Sequence, residues 1–327
     1  MVNWIESKVF QMARYSDLVV LLPGITGSVL AKDGEVLWGT AARDFWRMFW
    51  EKSLDQMQLR SADNGDDDLG DGIEAIGLVS NVTIVPGLLK IDGYSNTSSY
   101  LTGNLPLTRG ENYFEFPYDW RRDNRVSARR LERFCHEKLK LWRELSGNEA
   151  AKIVFIAHSM GGLVARYYIE CLEGWKCVRS LITLGTPYRG SLNALDSICN
   201  GTKKKFAGFE VDGSHAFRSF QSLYQLLPTY PVIDLGDGAL RRTTEVDLPF
   251  LEADRAAQAR AFHSEIEEAA SANVAAVANL NDRTRIVPVI GIDQPTSQSA
   301  MWAGAGPLQM LRSIGGEDDG GDQTVPQ

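Results

Sequence analysis

The serine at position 159 lies in a sequence environment that suits a nucleophile. Its motif A-H-S-M-G-G (157–162) comes directly after the apolar run K-I-V-F-I (152–156) and directly before the helix-like run G-L-V-A-R-Y-Y (162–168). A strand, a sharp turn and a helix in this order form a nucleophile elbow, which lifts a serine oxygen above the end of a sheet. The positive end of the helix then favours the negative charge that develops during reaction. We therefore predict that Ser159 is a catalytic nucleophile; the alternative is a turn with only a structural role.

A serine nucleophile also needs donors for the oxygen that becomes negative in the tetrahedral intermediate. The backbone N–H of Met160, the residue after the serine, is the first candidate. The second is the N–H of Ile25, in the loop L-P-G-I-T-G-S (22–28), whose glycines allow the backbone to bend toward the reacting oxygen. We predict that Ile25 and Met160 form an oxyanion hole, with a simple glycine-rich turn as the alternative for this loop.

Apolar runs alternate with amphipathic segments along most of the chain and predict the elements that position these groups. Strands are predicted at 17–22, 113–116, 152–156, 177–184 and 285–290, and helices at 126–145 and 162–172. This alternation is typical of an α/β fold with a mostly parallel sheet that helices cover on both faces. The interval 192–281 interrupts the rhythm. We therefore expect a core formed by residues 1–191 and 282–327, and an inserted, mainly helical cap or lid formed by residues 192–281.

Five motifs occur in order along the chain. They are P-G-I-T-G-S (23–28), F-P-Y-D-W-R-R (116–122), A-H-S-M-G-G (157–162), L-G-T-P-Y-R-G-S (184–191) and G-D-Q-T-V-P (321–326). With these motifs the chain resembles the lecithin:cholesterol acyltransferase family of α/β-hydrolases, which includes phospholipid:diacylglycerol acyltransferases and lysosomal phospholipases. The resemblance implies an α/β-hydrolase fold in which Ser159 takes up an acyl group and Asp322 orients a histidine. It also matches Ile25 and Met160 to the oxyanion positions.

The acid has two candidates. Asp293 comes just after the predicted strand 285–290, where many α/β-hydrolases place this residue. The residue-by-residue match of the motif 321–326 favours Asp322 instead. Chain order in this fold is serine, acid, then histidine.

The histidine base is the part of the triad that the sequence does not supply in the expected place. All four histidines precede Asp322: His136, His158, His215 and His263. We expect the His158 side chain to point away from the serine, His136 and His263 to be exposed on helices, and His215 to lie in the cap. We therefore expect the C-terminal part of the fold to be missing from this chain. A serine without a base is a weak nucleophile.

Composition excludes several other classes of protein. With 44% hydrophobic residues, 23% charged residues and a net charge of −8, the chain is typical of a globular protein and not of a nucleic-acid binder. The four cysteines share no C-x-x-C spacing, so we expect free thiols. We see neither a signal peptide in residues 1–14 nor a spanning segment, and expect a cytoplasmic protein. No metal or organic cofactor is expected.

The resemblance implies a lipid ester, either a phospholipid or an acylglycerol, as the substrate, with an alcohol as a second acceptor besides water. A helix over residues 46–50 would have one aromatic face, formed by Trp46, Phe49 and Trp50. This face would either pack into the core or serve as an acyl-chain wall or a transient membrane contact. The acidic segment 63–72 is predicted to be a solvated loop. A carboxylesterase for smaller esters and a non-catalytic lipid-binding pseudoenzyme are the alternative functions.

Overall fold

A computed structural model describes residues 15–39, 52–59, 65–80, 93–206, 209–276 and 283–326. The strands are β1 (Leu18–Leu22), β2 (Ser28–Lys32), β3 (Glu35–Trp38), β4 (Ile73–Leu78), β5 (Tyr113–Glu115), β6 (Ile153–His158), β7 (Val178–Leu184), β8 (Lys203–Phe206), β9 (Phe209–Asp212), β10 (Ile233–Asp234), β11 (Leu240–Arg241), β12 (Arg285–Val289), β13 (Ser299–Met301) and β14 (Gln309–Leu311). The α-helices are α1 (Lys52–Met57), α2 (Tyr94–Asn104), α3 (Asn124–Ser146), α4 (Met160–Cys171), α5 (Leu192–Cys199), α6 (Ser214–Ser219), α7 (Gln221–Tyr224) and α8 (Ala253–Ala276).

Five of these strands form the central sheet, in the order β12-β7-β6-β1-β5. All four pairings are parallel, and β1 lies beside β6 in the middle of the sheet. Every residue of β1 is buried, as its unbroken Leu and Val content predicts for a strand covered on both faces. Parallel neighbours need crossover connections, and α3 and α4 supply them before and after β6. The five strands predicted from the apolar runs are therefore confirmed.

The two crossover helices begin and end within two residues of the predicted positions. Asp123 caps α3 because its side chain accepts a hydrogen bond from the Arg125 N–H, and Gly147 ends this helix in the left-handed region at φ 66°. Helix α4 starts at Met160, immediately after Ser159, and packs against α3 and α8. Helix α4 is thus packed between two other helices.

The edge strand β12 departs from the expectation that helices cover the sheet. Its side chains Val287 and Val289, and Ile290 just beyond it, are exposed. Among the residues that the structure describes, β7 is its only strand partner, so β12 lies at the margin of the sheet. An apolar run therefore indicated a strand here, but not its burial.

A second, four-stranded sheet joins the predicted cap to the C-terminal segment. Its order is β11-β10-β13-β14, and β10, from residues 192–281, pairs in parallel with β13, from residues 282–327. Within the segment expected to be a mainly helical cap, α6 and α7 are separated at Phe220, whose backbone is extended. The division into core and cap stays a prediction, and the structure adds that the two parts share this sheet.

The motif 116–122 forms a buried polar cluster beneath the loop 23–28. The Tyr118 hydroxyl donates to the Pro23 carbonyl at 2.9 Å, and its backbone N–H donates to the Ser28 hydroxyl at 3.0 Å. The Trp120 indole N–H donates to the Ser28 carbonyl at 3.1 Å. These bonds hold both ends of the loop that carries Ile25.

Arg121 lies completely buried in the same cluster and is fully paired. Its guanidinium donates to both carboxylate oxygens of Asp119, at 2.8 and 2.6 Å, and to Asp71 at 2.9 Å. A third nitrogen donates to the Met57 carbonyl at 3.1 Å. A buried charge needs such partners because its desolvation is costly.

The acidic segment was predicted to be a solvated loop, and its described part, residues 65–72, is a loop in which no residue is buried. The structure adds that this loop is bound to the motif 116–122. Asp71 is bound to Arg121, and Arg122 donates to the carbonyls of Asp66 and Asp67, at 2.5 and 2.9 Å. The segment is therefore docked on the two arginines of the motif. The sequence of the loop alone could not predict this docking, because the two arginines lie about fifty residues further along the chain.

Other global expectations can be compared directly. The four cysteines are free thiols, as predicted, and Cys135 and Cys199 are buried. None of the helices in the described ranges combines the length and the apolar character needed to cross a bilayer.

Replacing Arg121 by Met should destabilise the protein by about 3–5 kcal/mol, because Asp119 would stay buried without its partner. The measurement is the free energy of unfolding in urea. Lys176→Met is the matched control, since Lys176 pairs with Glu173 at an exposed site, where we expect a loss below about 1 kcal/mol. Equal losses for the two variants would contradict the role given to the buried pair.

Candidate active site

Ser159 occupies a strained turn between β6 and α4. Its backbone angles are φ 49° and ψ −125°, in a region that costs about 1–3 kcal/mol for a residue with a side chain. The Ser159 N–H donates to the Leu184 carbonyl at 2.9 Å, and its carbonyl accepts from Gly162 at 3.0 Å and from the Thr186 hydroxyl at 2.9 Å. The turn is therefore held by the end of the neighbouring strand β7 and by the first turn of α4.

The loop after β1 touches this turn with no side chain between them. A Cβ atom built on Gly24 would lie 2.9 Å from the Ser159 Cβ and 3.4 Å from its Oγ. A Cβ atom built on Gly161 would lie only 2.4 Å from the Pro23 carbonyl oxygen. Glycine is thus needed on both sides of the contact, because any larger residue would push the loop away from the serine.

Two backbone amides beside Ser159 have no protein acceptor within the described ranges: those of Met160 and Ile25. Met160 is the first residue of α4, where N–H groups have no partner inside the helix. On either side of Ile25, the N–H of Gly24 donates to the Tyr94 hydroxyl and that of Gly27 donates to the Gly24 carbonyl. Both amides are available to an oxygen that carries negative charge, which is what the predicted oxyanion hole requires.

Asp322 lies at the end of β7, the strand next to the one that carries Ser159. Its Oδ1 accepts from the N–H groups of Thr324, at 2.9 Å, and Val325, at 2.7 Å, so the carboxylate closes its own turn. Its Oδ2 lies 2.9 Å from the position of a Cβ built on Gly185, directly after β7. No described residue donates a hydrogen bond to Oδ2, so this oxygen can accept one from an imidazole.

The alternative acid, Asp293, has a different setting. It follows β12 in an exposed position with φ 61°. The loop that carries Asp293 packs against the segment of Asp322. The Gln294 N–H donates to the Gly321 carbonyl at 3.0 Å. A Cβ atom built on Gly291 would lie 2.5 Å from the Asp322 Cβ, so the two backbones are close. The geometry therefore favours Asp322, and the assignment of the acid remains a prediction.

His158 turns toward the tyrosine Tyr94 and is joined through it to the loop after β1. The Gly24 N–H donates to the Tyr94 oxygen at 2.8 Å, and that oxygen lies 2.7 Å from His158 Nδ1. Burial lowers the pKa of His158, while the charge of Asp322 acts in the opposite direction and more weakly. The tyrosine hydroxyl thus links the backbone of the loop to the imidazole, and either Tyr94 or His158 can be the donor in the second bond.

The other three histidines lie elsewhere. His136 and His215 are exposed, whereas His263 is 7% exposed and its Nε2 lies 2.8 Å from the Gln225 carbonyl. The expectation that His263 is exposed was wrong, because α8 packs with this face against α4 and α7. Within the described part of the chain, no imidazole bonds to the Ser159 hydroxyl.

Two contributors to this site were not found from the sequence. Thr186, whose hydroxyl binds the Ser159 carbonyl, belongs to the motif 184–191. Its position directly after a predicted strand could have indicated a contact with the serine turn. Tyr94 carries no signal of its own, since it is a single tyrosine 64 residues from His158. The aromatic face predicted from Trp46, Phe49 and Trp50 lies outside the described residues.

Among the side chains that the structure describes, no group of three or more His, Cys, Asp or Glu residues could hold a metal ion.

Comparisons with known proteins identify the family of this chain. The family model for lecithin:cholesterol acyltransferase matches residues 76–268, more than half of the chain. Human lysosomal phospholipase A and acyltransferase (Homo sapiens) is 29% identical over 126 residues, which are 37% of this chain and 29% of that protein. Phospholipase A(1) LCAT3 of Arabidopsis thaliana is 33% identical over 128 residues, 38% of this chain and 27% of that protein. The matched segments thus span less than a third of either relative.

A solved structure extends the comparison of the fold. A chain in the crystal structure of the Tle4–Tli4 complex matches with a TM-score of 0.55, covering 96% of this chain and 88% of that chain at 14% identity. The parallel sheet, the crossover helices and the sharp turn after its central strand β6 define an α/β-hydrolase fold. Within that fold, the chain belongs to the lecithin:cholesterol acyltransferase family.

Replacing Gly24 by Ala should lower the rate at which a fluorophosphonate labels Ser159 by about 10–100-fold, because the new methyl group displaces the loop from the serine. Gly103→Ala is the matched control: a Cβ on this residue of α2 meets nothing within 4 Å, so the labelling rate should not change. A normal rate in Gly24→Ala would argue against the close contact between loop and turn.

Proposed function

We propose that this protein transfers or hydrolyses the acyl group of a lipid ester through an acyl-enzyme on Ser159. The observation that carries the proposal is the meeting of three features at the ends of adjacent parallel strands. These are the strained serine turn, two amides without a protein acceptor, and the carboxylate of Asp322 with one oxygen left unbonded. Ligands of open α/β sheets bind at this carboxyl edge of the strands.

The reaction follows from these positions. The Ser159 oxygen bonds to the ester carbonyl carbon, the carbonyl oxygen becomes negative, and the N–H groups of Ile25 and Met160 stabilise it. Collapse of this intermediate breaks the bond to the alcohol part of the lipid and leaves the acyl group on Ser159. Water or an alcohol then attacks the acyl-enzyme and restores the serine.

The proton of the serine hydroxyl must pass to a base and then to the leaving alcohol. Asp322 Oδ2 is the acceptor at which an imidazole N–H would be held, with the opposite ring nitrogen toward Ser159. The four imidazoles of this chain do not occupy that position in the ranges that the structure describes. Without a base, a residual rate of about 10³–10⁴-fold over water is expected from the oxyanion hole and binding alone.

The substrate class is proposed from the relatives, whose names include phospholipase and acyltransferase activities. We infer a phospholipid or an acylglycerol as the acyl donor, and water or an alcohol as the acceptor. Residues 192–281 would form the cap that covers the acyl chain. A carboxylesterase acting on smaller esters is the alternative within the same chemistry.

The first test is the reaction of Ser159 itself. A fluorophosphonate should label the wild-type protein, and Ser159→Ala should lose at least about 99% of the label, because no other side chain is presented at the elbow. Labelling that persists in Ser159→Ala would remove this residue from the mechanism.

A separate measurement tests the substrate class. If the substrate is a lipid, long-chain esters should be cleaved faster than acetyl esters.

A second test separates the two acids. Added imidazole should accelerate hydrolysis of a nitrophenyl ester in the wild type but not in Ser159→Ala, because the ring can bind between Asp322 and the serine. Asp322→Asn should lower this acceleration about tenfold or more, since an amide cannot stabilise the imidazolium. Asp293→Asn is the matched control and should behave as wild type; the reverse pattern would overturn the assignment.

The absence of an imidazole at the Ser159 hydroxyl within the described ranges also supports a second candidate, a lipid-binding protein without turnover. It predicts binding of lipid esters with no fluorophosphonate labelling, even when imidazole is added. The two candidates therefore give opposite results in the same labelling assay.

A further inference from the structure

Two adjoining cavities lie at the far end of α5 from the candidate active site. Their volumes are about 780 Å³ and about 720 Å³, within the size range of ligand pockets, and they share Asn200 and Phe250. Ser191, at the start of α5, hydrogen-bonds to the loop that carries Asp322, whereas Cys199, at its end, lines the smaller cavity. Eight helical residues separate these points by about 12 Å.

The larger cavity has a cationic wall. It is lined by four basic and two acidic side chains: Lys203, His215, Arg218, Arg255, Asp212 and Glu252. Lys203 pairs with Asp212 at 3.3 Å, and Arg255 pairs with Glu252 at 3.0 Å. In the described ranges no carboxylate pairs with Arg218, whose guanidinium instead donates to the carbonyls of Ile198, at 2.7 Å, and Cys199, at 3.5 Å. Because these partners are neutral, the positive charge can still attract an anion.

The smaller cavity is mainly apolar. Its wall includes Leu248, Pro249, Phe250, Trp302 and Pro307, with Asp247 as the one charged side chain among the lining residues. These side chains suit the alkyl part of a ligand, which neither donates nor accepts hydrogen bonds.

Phe250 lies where the two cavities meet and is held in an unfavourable conformation. Its φ is 60°, a value that bulky residues rarely adopt, and the residue is 64% exposed. The Arg218 guanidinium lies 3.7 Å from the centre of its ring. An exposed phenyl group in a strained backbone contributes little to folding, and such strain is found at ligand sites.

We propose that the two cavities form one binding site for the anion of a long-chain fatty acid. Its carboxylate binds Arg218, and its alkyl chain passes over Phe250 into the apolar cavity beside Trp302. The site is separate from Ser159, so this inference does not rest on the proposed function.

The test is binding of dodecanoate, measured by displacement of a fluorescent fatty acid. Wild type and Ser159→Ala should bind it equally, and dodecanol, which has the same chain without the charge, should bind at least about tenfold more weakly. Arg218→Gln should lose this preference for the anion, whereas Arg133→Gln, at an exposed site on α3, should keep it. Equal affinity for dodecanoate and dodecanol in the wild type would overturn the proposal.

A second variant uses the strain at Phe250. Phe250→Asn should keep or raise Tm, because asparagine tolerates positive φ, while it weakens dodecanoate binding about tenfold. Unchanged affinity in this variant would overturn the proposal, and so would a fall in Tm, which would show that the phenyl group serves folding. A loss of binding in Ser159→Ala would place the fatty acid at the elbow and also overturn it.

Discussion

The close contact between the loop after β1 and the turn after β6 is the constraint on which the candidate site depends. Gly24 and Gly161 leave no room for a side chain at this contact, and Ser159 accepts a strained backbone there. The two strands are neighbours in the centre of the sheet, so their carboxyl ends bring the loop and the turn together. The loop that carries Ile25 is thereby held in contact with Ser159.

The loop is held from three sides, which makes the positions of its amides independent of substrate binding. Tyr118 binds its start at Pro23, Tyr94 binds the N–H of Gly24, and the Trp38 indole donates to the Thr26 carbonyl at 2.8 Å. Donors that are positioned in advance stabilise a developing charge without reorganisation during the reaction. In the proposed mechanism, the buried cluster beneath the loop would contribute by holding the backbone that carries Ile25.

The same edge of the sheet explains how residues far apart in the chain can meet. Asp322 reaches the end of β7 because the loop after β12 supports it from behind and because Gly185 leaves space for its carboxylate. Ser159 lies one strand away. The match that shows the family covers residues 76–268, so it includes Ser159 but neither Ile25 nor Asp322.

The sequence by itself determined the local elements and the candidate chemistry. Apolar runs located all five strands of the central sheet, and the motif 157–162 located the turn at Ser159, because both depend on neighbouring residues. Only the tertiary structure decided that Asp71 docks on Arg121, that His263 is buried and that Tyr94 joins Gly24 to His158. Burial and pairing of this kind depend on which distant segments pack together, and a local pattern carries no record of its partners.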